Sequence, residues 1–241
     1  MIDSKKIKAI AFDFGGTLDS PFMHWMDIYI RLYTEELHLN LTAERFRDSY
    51  IYAEQMMERM QLVQPFHTLL ETQLFKTNLQ FENLIERGIL PDTPENRKQL
   101  PATAARLVTD FSTHYVELSK PVLAKLAQHY PLLLVSNYYG NLEKVVTDLG
   151  IASCFISLTD STLEGVRKPD STLWKLAFDR QGYAPEEVLV VGDSMKNDIL
   201  PALSLGCQAI QGVPASKGFF EEAAGEVHCI SSLTELPVAL F

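Results

Sequence analysis

Short apolar runs, each followed by a stretch with helical spacing, recur along the second half of the chain. One run, residues 7–12, lies alone near the N-terminus. From about residue 117 the alternation becomes regular and predicts more strands. These predicted strands are residues 131–135, 154–156, 188–191, 207–210 and 227–230. Strands that alternate with helices form a parallel sheet covered on both faces. We therefore predict an α/β fold with a Rossmann-like, doubly wound parallel sheet.

The long segment between the first run and the others has a different texture. It has no convincing strand run, and apolar side chains recur at steps of three and four residues, as in Met26, Ile30 and Tyr33. The same spacing returns in residues 46–57 and 69–81. This periodicity is typical of amphipathic helices, so the segment is predicted to be a helical bundle.

The length of the chain agrees with a division into two domains. Its 241 residues suffice for a core with a smaller appended domain. We predict an α/β core from residues 1–20 and 116–241. Residues 21–115 are predicted to form an all-α domain inserted after the first strand.

Composition narrows the possible partners and compartment. The net charge of -10 argues against nucleic acid and anionic membranes as partners. No apolar run approaches the roughly 18 residues of a membrane span, and no secretory signal pattern is present. The scattered Cys154, Cys207 and Cys229 are expected to be free thiols. These features predict a cytoplasmic protein.

Polar clusters follow four of the predicted strands or the loops after them. In chain order they are Asp13; Ser136 and Asn137; Lys168; and Asp193 and Asp198. A charged group at the end of a buried strand is costly unless it is paired, solvated or holding a metal. Parallel strands place their carboxyl ends at one edge of the sheet, so we expect these side chains to converge in one crevice.

Together these clusters resemble the signature motifs of the haloacid dehalogenase superfamily, most of whose members are magnesium-dependent phosphatases. The first motif is the run from Phe12 to Leu18, in which Asp13 precedes two glycines and a threonine. The resemblance covers about residues 1–20 and 117–241. The position of the helical insert is similar to that of the cap domain of the family's first cap type.

The resemblance implies a covalent mechanism. Asp13 matches the nucleophile, which forms an aspartyl-phosphate that water then hydrolyses. Lys168 matches the lysine that pairs with the nucleophile and with the phosphoryl oxygens. Ser136 matches the residue that donates its hydroxyl to the same group.

The resemblance also implies residues that bind phosphate and metal. The implied phosphate-binding residues are Gly15, Gly16, Thr17 and Asn137. Asp193 matches the metal ligand and would be joined by a carboxylate oxygen of Asp13 and the backbone carbonyl of Gly15. All-oxygen ligation suits Mg²⁺. Asp198 is expected to support the site through a water or by orienting Lys168.

Gly15 departs from the family pattern. Phosphatases of the superfamily usually carry a second aspartate at this position, which acts as general acid and base. Such proton transfer is typically worth about 10²–10⁴-fold in rate. The glycine therefore puts efficient hydrolysis of alkyl phosphates in question and leaves activated esters as possible substrates.

Several functions stay open at this point. The leading hypothesis is an Mg²⁺-dependent hydrolase of a small phosphorylated metabolite. The alternative that Gly15 favours is a weak or inactive member that binds a phosphorylated ligand or partner. A phosphonate hydrolase also has a small residue at this position, but its Schiff-base lysine has no match in residues 50–56. Asp193 argues against a dehalogenase, since those relatives do not keep the metal-binding acid.

Overall fold

Six parallel strands form one sheet in the order β3-β2-β1-β4-β5-β6. The strands are β1 Ala9–Phe12, β2 Leu132–Ser136, β3 Ser157–Asp160, β4 Val188–Gly192, β5 Gln208–Gly212 and β6 His228–Ile230. The structure is a computed structural model that describes residues 2–215 and 227–240. The order is that of a doubly wound sheet, so the predicted α/β fold class is confirmed.

The central strands are apolar because both of their faces are covered. Every residue of β1 and β4 is buried, as expected for parallel strands between two layers of helices. Ile10 of β1 lies opposite Leu132 of β2 and Leu189 of β4. The first strand of the chain is thus an inner strand of the sheet, and Asp13 follows its carboxyl end.

The chain divides into two compact units, Met1–His24 with Thr113–Phe241 and Trp25–Ser112. We call the first the core unit and the second the helical unit. The helices of the core unit are numbered from α5, after those of the next paragraph. They are α5 Leu142–Asp148, α6 Ser161–Glu164, α7 Thr172–Gln181, α8 Leu200–Leu205 and α9 Leu236–Leu240. Gly182 and Gly206 end α7 and α8 in the left-handed conformation.

The helical unit has an aromatic centre. Its helices are α1 Trp25–Glu35, α2 Ala43–Met60, α3 Leu69–Glu86 and the first half of α4 Leu100–Ala127, which a π-helical turn at Glu95–Gln99 precedes. The rings of Tyr29, Tyr33, Phe46 and Phe81 pack together at centroid distances of 5.3–6.3 Å. Thr68 begins α3 with a capping box.

One face of α3 buries polar side chains against the other helices of this unit. Lys76 is 5% exposed, and its Nζ lies 2.7 Å from Glu54 Oε1. The Tyr33 hydroxyl donates to Gln80 Oε1 at 2.6 Å. These bonds offset the cost of burying polar groups between helices.

One predicted strand is wrong. Residues 154–156 do not form a strand, because Ala152–Cys154 form a short 3₁₀ turn and β3 begins only at Ser157. Residues 122–127 are helical, as the last part of the long helix α4, which continues through Pro121.

Two predictions from composition can also be compared with the structure. The three cysteines are free thiols, as predicted. Among the described residues, no helix has both the length and the apolar character that a membrane crossing demands.

Candidate active site

Asp13 and Lys168 form a buried ion pair at the carboxyl edge of the sheet. The Lys168 ammonium donates to Asp13 Oδ1 at 2.6 Å, to Asp198 Oδ1 at 2.7 Å and to the Val135 carbonyl at 3.1 Å. All three N–H bonds of the ammonium thus have an acceptor. Because the lysine has two carboxylate partners and a carbonyl, its charge is tolerated although its side chain is almost fully buried.

Thr17 connects the nucleophile position to the acid after β4. Its hydroxyl lies 3.2 Å from Asp13 Oδ2 and 3.3 Å from Asp193 Oδ1. The hydroxyl also accepts the Asp193 N–H at 3.1 Å. The first and last motifs are therefore joined through a single side chain.

Asp13, Asp193 and Asp198 form a cluster in which one carboxylate oxygen of each lies within 4.8 Å of the others. Burial raises the pKa of Asp13 to about 6, although the Lys168 charge acts in the opposite direction. Burial raises the pKa of Asp193 to about 8, and the charges of Asp13 and Asp198 add to the effect. The acids therefore oppose each other's ionisation.

The acids of the cluster also shift the pKa of Lys168, and here they favour the charged form. Burial acts to lower the pKa of Lys168, but the carboxylates of Asp13 and Asp198 outweigh it and hold the pKa above its ordinary value. The lysine therefore stays cationic across the physiological range. It offsets part of the negative charge of the cluster and leaves the rest uncompensated.

The donor set fits a hard divalent cation. The carboxylate oxygens of the three clustered acids are the ligand type that Mg²⁺ prefers. The raised pKa of Asp193 marks negative charge that a cation would relieve. Lys168 donates to Asp13 and Asp198 but not to Asp193, so the Asp193 carboxylate is available to a cation.

Asp19 is a buried acid that the sequence analysis missed. It is 2% exposed, and its Oδ1 accepts the Gly16 N–H at 2.7 Å. The Ser20 hydroxyl donates to the Gly16 carbonyl at 2.8 Å. Both polar groups of Gly16 are thus held within the loop, and the Gly16 N–H predicted to face phosphate is directed at Asp19. The sequence does carry a signal for it, because Asp19 is a lone acid among small and apolar residues directly after the first motif.

The second and third motifs meet through backbone and side-chain amides. Ser136 is buried at the end of β2, opposite Asp160 of β3. The Asn137 side chain accepts the Lys168 N–H at 2.8 Å and donates to the Lys168 carbonyl at 2.9 Å. Asn137 thus contacts the lysine backbone directly.

Two more buried side chains support this part of the site. Asp160 accepts the N–H groups of Gly140 and Leu142 at 2.8 and 3.2 Å and so orders the loop after β2. The ring of Trp174 lies 4.9 Å from the Lys168 ammonium, a cation–π arrangement. Neither was predicted, because Asp160 follows a misplaced strand and Trp174 lies inside a helix.

Gly16→Ala is expected to destabilise the protein more than Gly206→Ala does. Both glycines have φ of +93°, so both variants suffer the same backbone strain of about 1–3 kcal/mol. A Cβ at Gly16 would also lie 2.8 Å from Asp193 Oδ1, whereas nothing lies within 4 Å at Gly206. We expect about 1–3 kcal/mol of additional loss at Gly16, measured as the free energy of unfolding in urea. Equal losses would show that Asp193 moves aside without cost.

The fold and the site together define a class: a doubly wound α/β protein that carries a buried acid–lysine pair and two further acids at the carboxyl edge of its sheet. A family model described as haloacid dehalogenase-like hydrolase matches residues 7–206. The chain belongs to this family.

Comparisons with individual proteins agree with the family. The phosphoglycolate phosphatase of Vibrio vulnificus is 32% identical over 123 residues, which are 47% of this chain and 54% of that protein. The phospholysine phosphohistidine inorganic pyrophosphate phosphatase of Danio rerio is 30% identical over 97 residues, 40% of this chain and 33% of that protein. The chain thus spans about half, or less, of the length of these curated relatives.

A solved structure extends the likeness to the whole chain. The magnesium-bound HAD-hydrolase YfnB of Bacillus subtilis has a TM-score of 0.61 over 97% of this chain and 98% of its own. At 18% identity this likeness shows the fold alone.

Proposed function

We propose that this protein is an Mg²⁺-dependent phosphatase of a small phosphorylated metabolite, acting through an aspartyl-phosphate. The observation that carries the proposal is the placement of Asp13, whose Oδ1 lies 2.6 Å from the Lys168 ammonium inside the cluster of three acids. An ionised carboxylate beside a fixed cation can act as a nucleophile toward an anionic group. The phosphatase names of the relatives support the same chemistry.

In the first step a carboxylate oxygen of Asp13 forms a bond to phosphorus. The bond from phosphorus to the ester oxygen breaks, and the leaving oxygen departs with the electron pair. Lys168 and the Ser136 hydroxyl donate to the phosphoryl oxygens, whose charge they offset as the transferred group moves. Because all three N–H bonds of the Lys168 ammonium have acceptors in this structure, the one to Asp13 Oδ1 turns to a phosphoryl oxygen as Asp13 is phosphorylated.

In the second step a water oxygen attacks the phosphorus of the aspartyl-phosphate. The bond to the Asp13 oxygen breaks, the carboxylate is restored, and the water protons pass to phosphate and solvent. Mg²⁺, when bound by Asp193, an oxygen of Asp13 and the Gly15 carbonyl, would supply positive charge to the phosphoryl group. Asp198 holds Lys168 from the other side.

Gly15 sets the substrate class that we propose. No side chain at this position can protonate the leaving oxygen or deprotonate the attacking water. The leaving group must therefore be stable as an anion or take its proton from solvent, which favours aryl and acyl phosphates over alkyl esters. The same absence supports a second candidate function, a weak family member that binds a phosphorylated ligand.

We assign the helical unit the role of the family's cap domain, which selects the substrate. Its position in the chain, directly after the first motif, supports this assignment. The free thiols support a reducing, cytoplasmic compartment.

The proposal is tested by phosphate release from p-nitrophenyl phosphate. We expect turnover with Mg²⁺, loss of turnover with a chelator in excess, and recovery when Mg²⁺ is added back. Release that is undiminished by the chelator would contradict the metal-dependent mechanism. Inertness toward aryl and acyl phosphates, together with measurable binding of inorganic phosphate, would establish the binding function instead.

A further inference from the structure

Asn137 and Lys168 exchange two hydrogen bonds across the carboxyl edge of the sheet. The Lys168 N–H donates to Asn137 Oδ1 at 2.8 Å, and Asn137 Nδ2 donates to the Lys168 carbonyl at 2.9 Å. Asn137 directly follows β2, while Lys168 lies in the loop between α6 and α7. One side chain thus holds both polar backbone groups of the lysine.

We infer that Asn137 is a positioning residue that acts through Lys168 and fixes where its ammonium lies. The inference rests on the proposed phosphatase function. It differs from the role implied by family resemblance, in which Asn137 binds the phosphate itself.

The lysine needs this support because its ammonium has a demanding position. It must reach Asp13, Asp198 and the Val135 carbonyl at 2.6–3.1 Å at the same time. A lysine side chain has a long flexible stem that costs about 2 kcal/mol of rotamer entropy to fix. When the backbone of Lys168 is held in one place, its flexible side chain can move the ammonium through a smaller volume. Misplacing a catalytic group by about 1 Å can cost about 10²-fold in rate.

The chemistry of the amide explains why asparagine serves this role. The Asn137 amide presents an acceptor to an N–H and a donor to a carbonyl, the two groups that a backbone residue offers. The hydroxyl of the neighbouring Ser136 also donates and accepts, but it does so through a single oxygen atom, whereas the amide presents its acceptor and its donor on separate atoms. The Asn137 oxygen and nitrogen are both engaged by Lys168 before any substrate is present.

A double-mutant cycle tests the inference. With Mg²⁺ and p-nitrophenyl phosphate, Asn137→Ala is expected to lower kcat about 10–100-fold, the usual cost of removing a group that orients a reactive one. In a Lys168→Gln background the same substitution should change kcat by less than about twofold, because the lysine through which it acts is gone. A full loss in that background would overturn the inference.

Gln208→Ala is the matched control. Gln208 Oε1 accepts the Asp3 N–H at 2.6 Å and Gln208 Nε2 donates to the Asp3 carbonyl at 3.1 Å, so this amide also holds both polar backbone groups of one residue. Gln208 begins β5, at the amino edge of the sheet, and its substitution should leave kcat unchanged. A comparable loss of kcat in this control would show that the effect at Asn137 reflects general destabilisation, and so would overturn the inference.

Binding of inorganic phosphate separates a positioning role from a direct contact and does not depend on turnover. In the Lys168→Gln background, Asn137→Ala should leave the dissociation constant for inorganic phosphate unchanged, whereas loss of a direct ligand would raise it and contradict the inference. If Lys168→Gln does not fold, Lys168→Met replaces it. A wild-type protein that is inert but binds phosphate would defeat the proposed phosphatase function, while this binding cycle would still decide the role of Asn137.

Discussion

Asp13→Asn is expected to abolish phosphate release, with kcat for p-nitrophenyl phosphate lowered by about 10⁴-fold or more. The amide oxygen that replaces the carboxylate is a poor nucleophile and carries no charge. The substitution also removes the partner that lies 2.6 Å from the Lys168 ammonium. The measurement is the release of inorganic phosphate at saturating Mg²⁺, with thermal unfolding recorded for each protein.

Asp148→Asn is the control for this substitution. Asp148 is also paired with a lysine, since its Oδ1 lies 2.6 Å from Lys144 Nζ, but the pair is exposed on a helix surface. It should leave kcat unchanged, because surface ion pairs contribute little. Acid quench of the wild-type reaction with labelled substrate should trap phosphate on the protein, and the Asp13→Asn variant should trap none. A variant within tenfold of the wild-type rate would mean that water attacks phosphorus directly.

The second large effect is expected at Gly15. Cleavage by the wild-type protein should depend steeply on the pKa of the leaving group, because the departing oxygen must carry its own charge. Gly15→Asp should flatten this dependence and raise turnover of alkyl phosphates by about 10²–10⁴-fold, provided that its carboxyl reaches the leaving oxygen. Gly15 is not among the glycines with positive φ, so no left-handed backbone strain opposes a side chain there.

Gly15→Asn tests whether the effect of Gly15→Asp comes from proton transfer or from the size of the new side chain. Asparagine has nearly the same size as aspartate and cannot act as an acid at neutral pH, so it should leave the dependence on leaving group steep. The measurement is kcat/KM over a series of aryl and alkyl phosphates, with Mg²⁺ affinity determined separately for each variant. A shallow dependence in the wild-type protein would show that another residue already supplies the proton.

The fold could be predicted from the sequence wherever the pattern was local. The run that contains Ile10 is apolar throughout because both faces of β1 are covered, so its own pattern predicts a buried strand. The run from Cys154 to Ile156 was wrongly predicted to be a strand. Cys154 ends a 3₁₀ turn, and Phe155 is apolar because it packs against Phe12, which lies far away in sequence. The burial of Lys76 could not be predicted either, because it depends on an ion pair with Glu54 from another helix.

Part of the candidate site could be predicted from the rule that parallel strands place their carboxyl ends at one edge of the sheet. That rule brought Asp13, Lys168 and Asp193 to one edge. In the structure Lys168 donates to Asp13, and Asp13 lies in one cluster with Asp193. The supporting contacts could not be predicted in this way. Trp174 looks like an ordinary apolar residue of a helix, and only the packing of α7 brings its ring to the lysine.

The inner position of β1 has a consequence for how the chain folds. Its neighbour Leu132 lies more than a hundred residues beyond Ile10, with the helical unit between them. The entropy of closing such a loop grows only with the logarithm of its length, so the insertion costs little stability. The insertion instead slows folding, because β1 must pair with strands that are distant in sequence. During synthesis β1 is made before the other five strands, and it stays an unpaired apolar segment until the chain has grown past the whole insert.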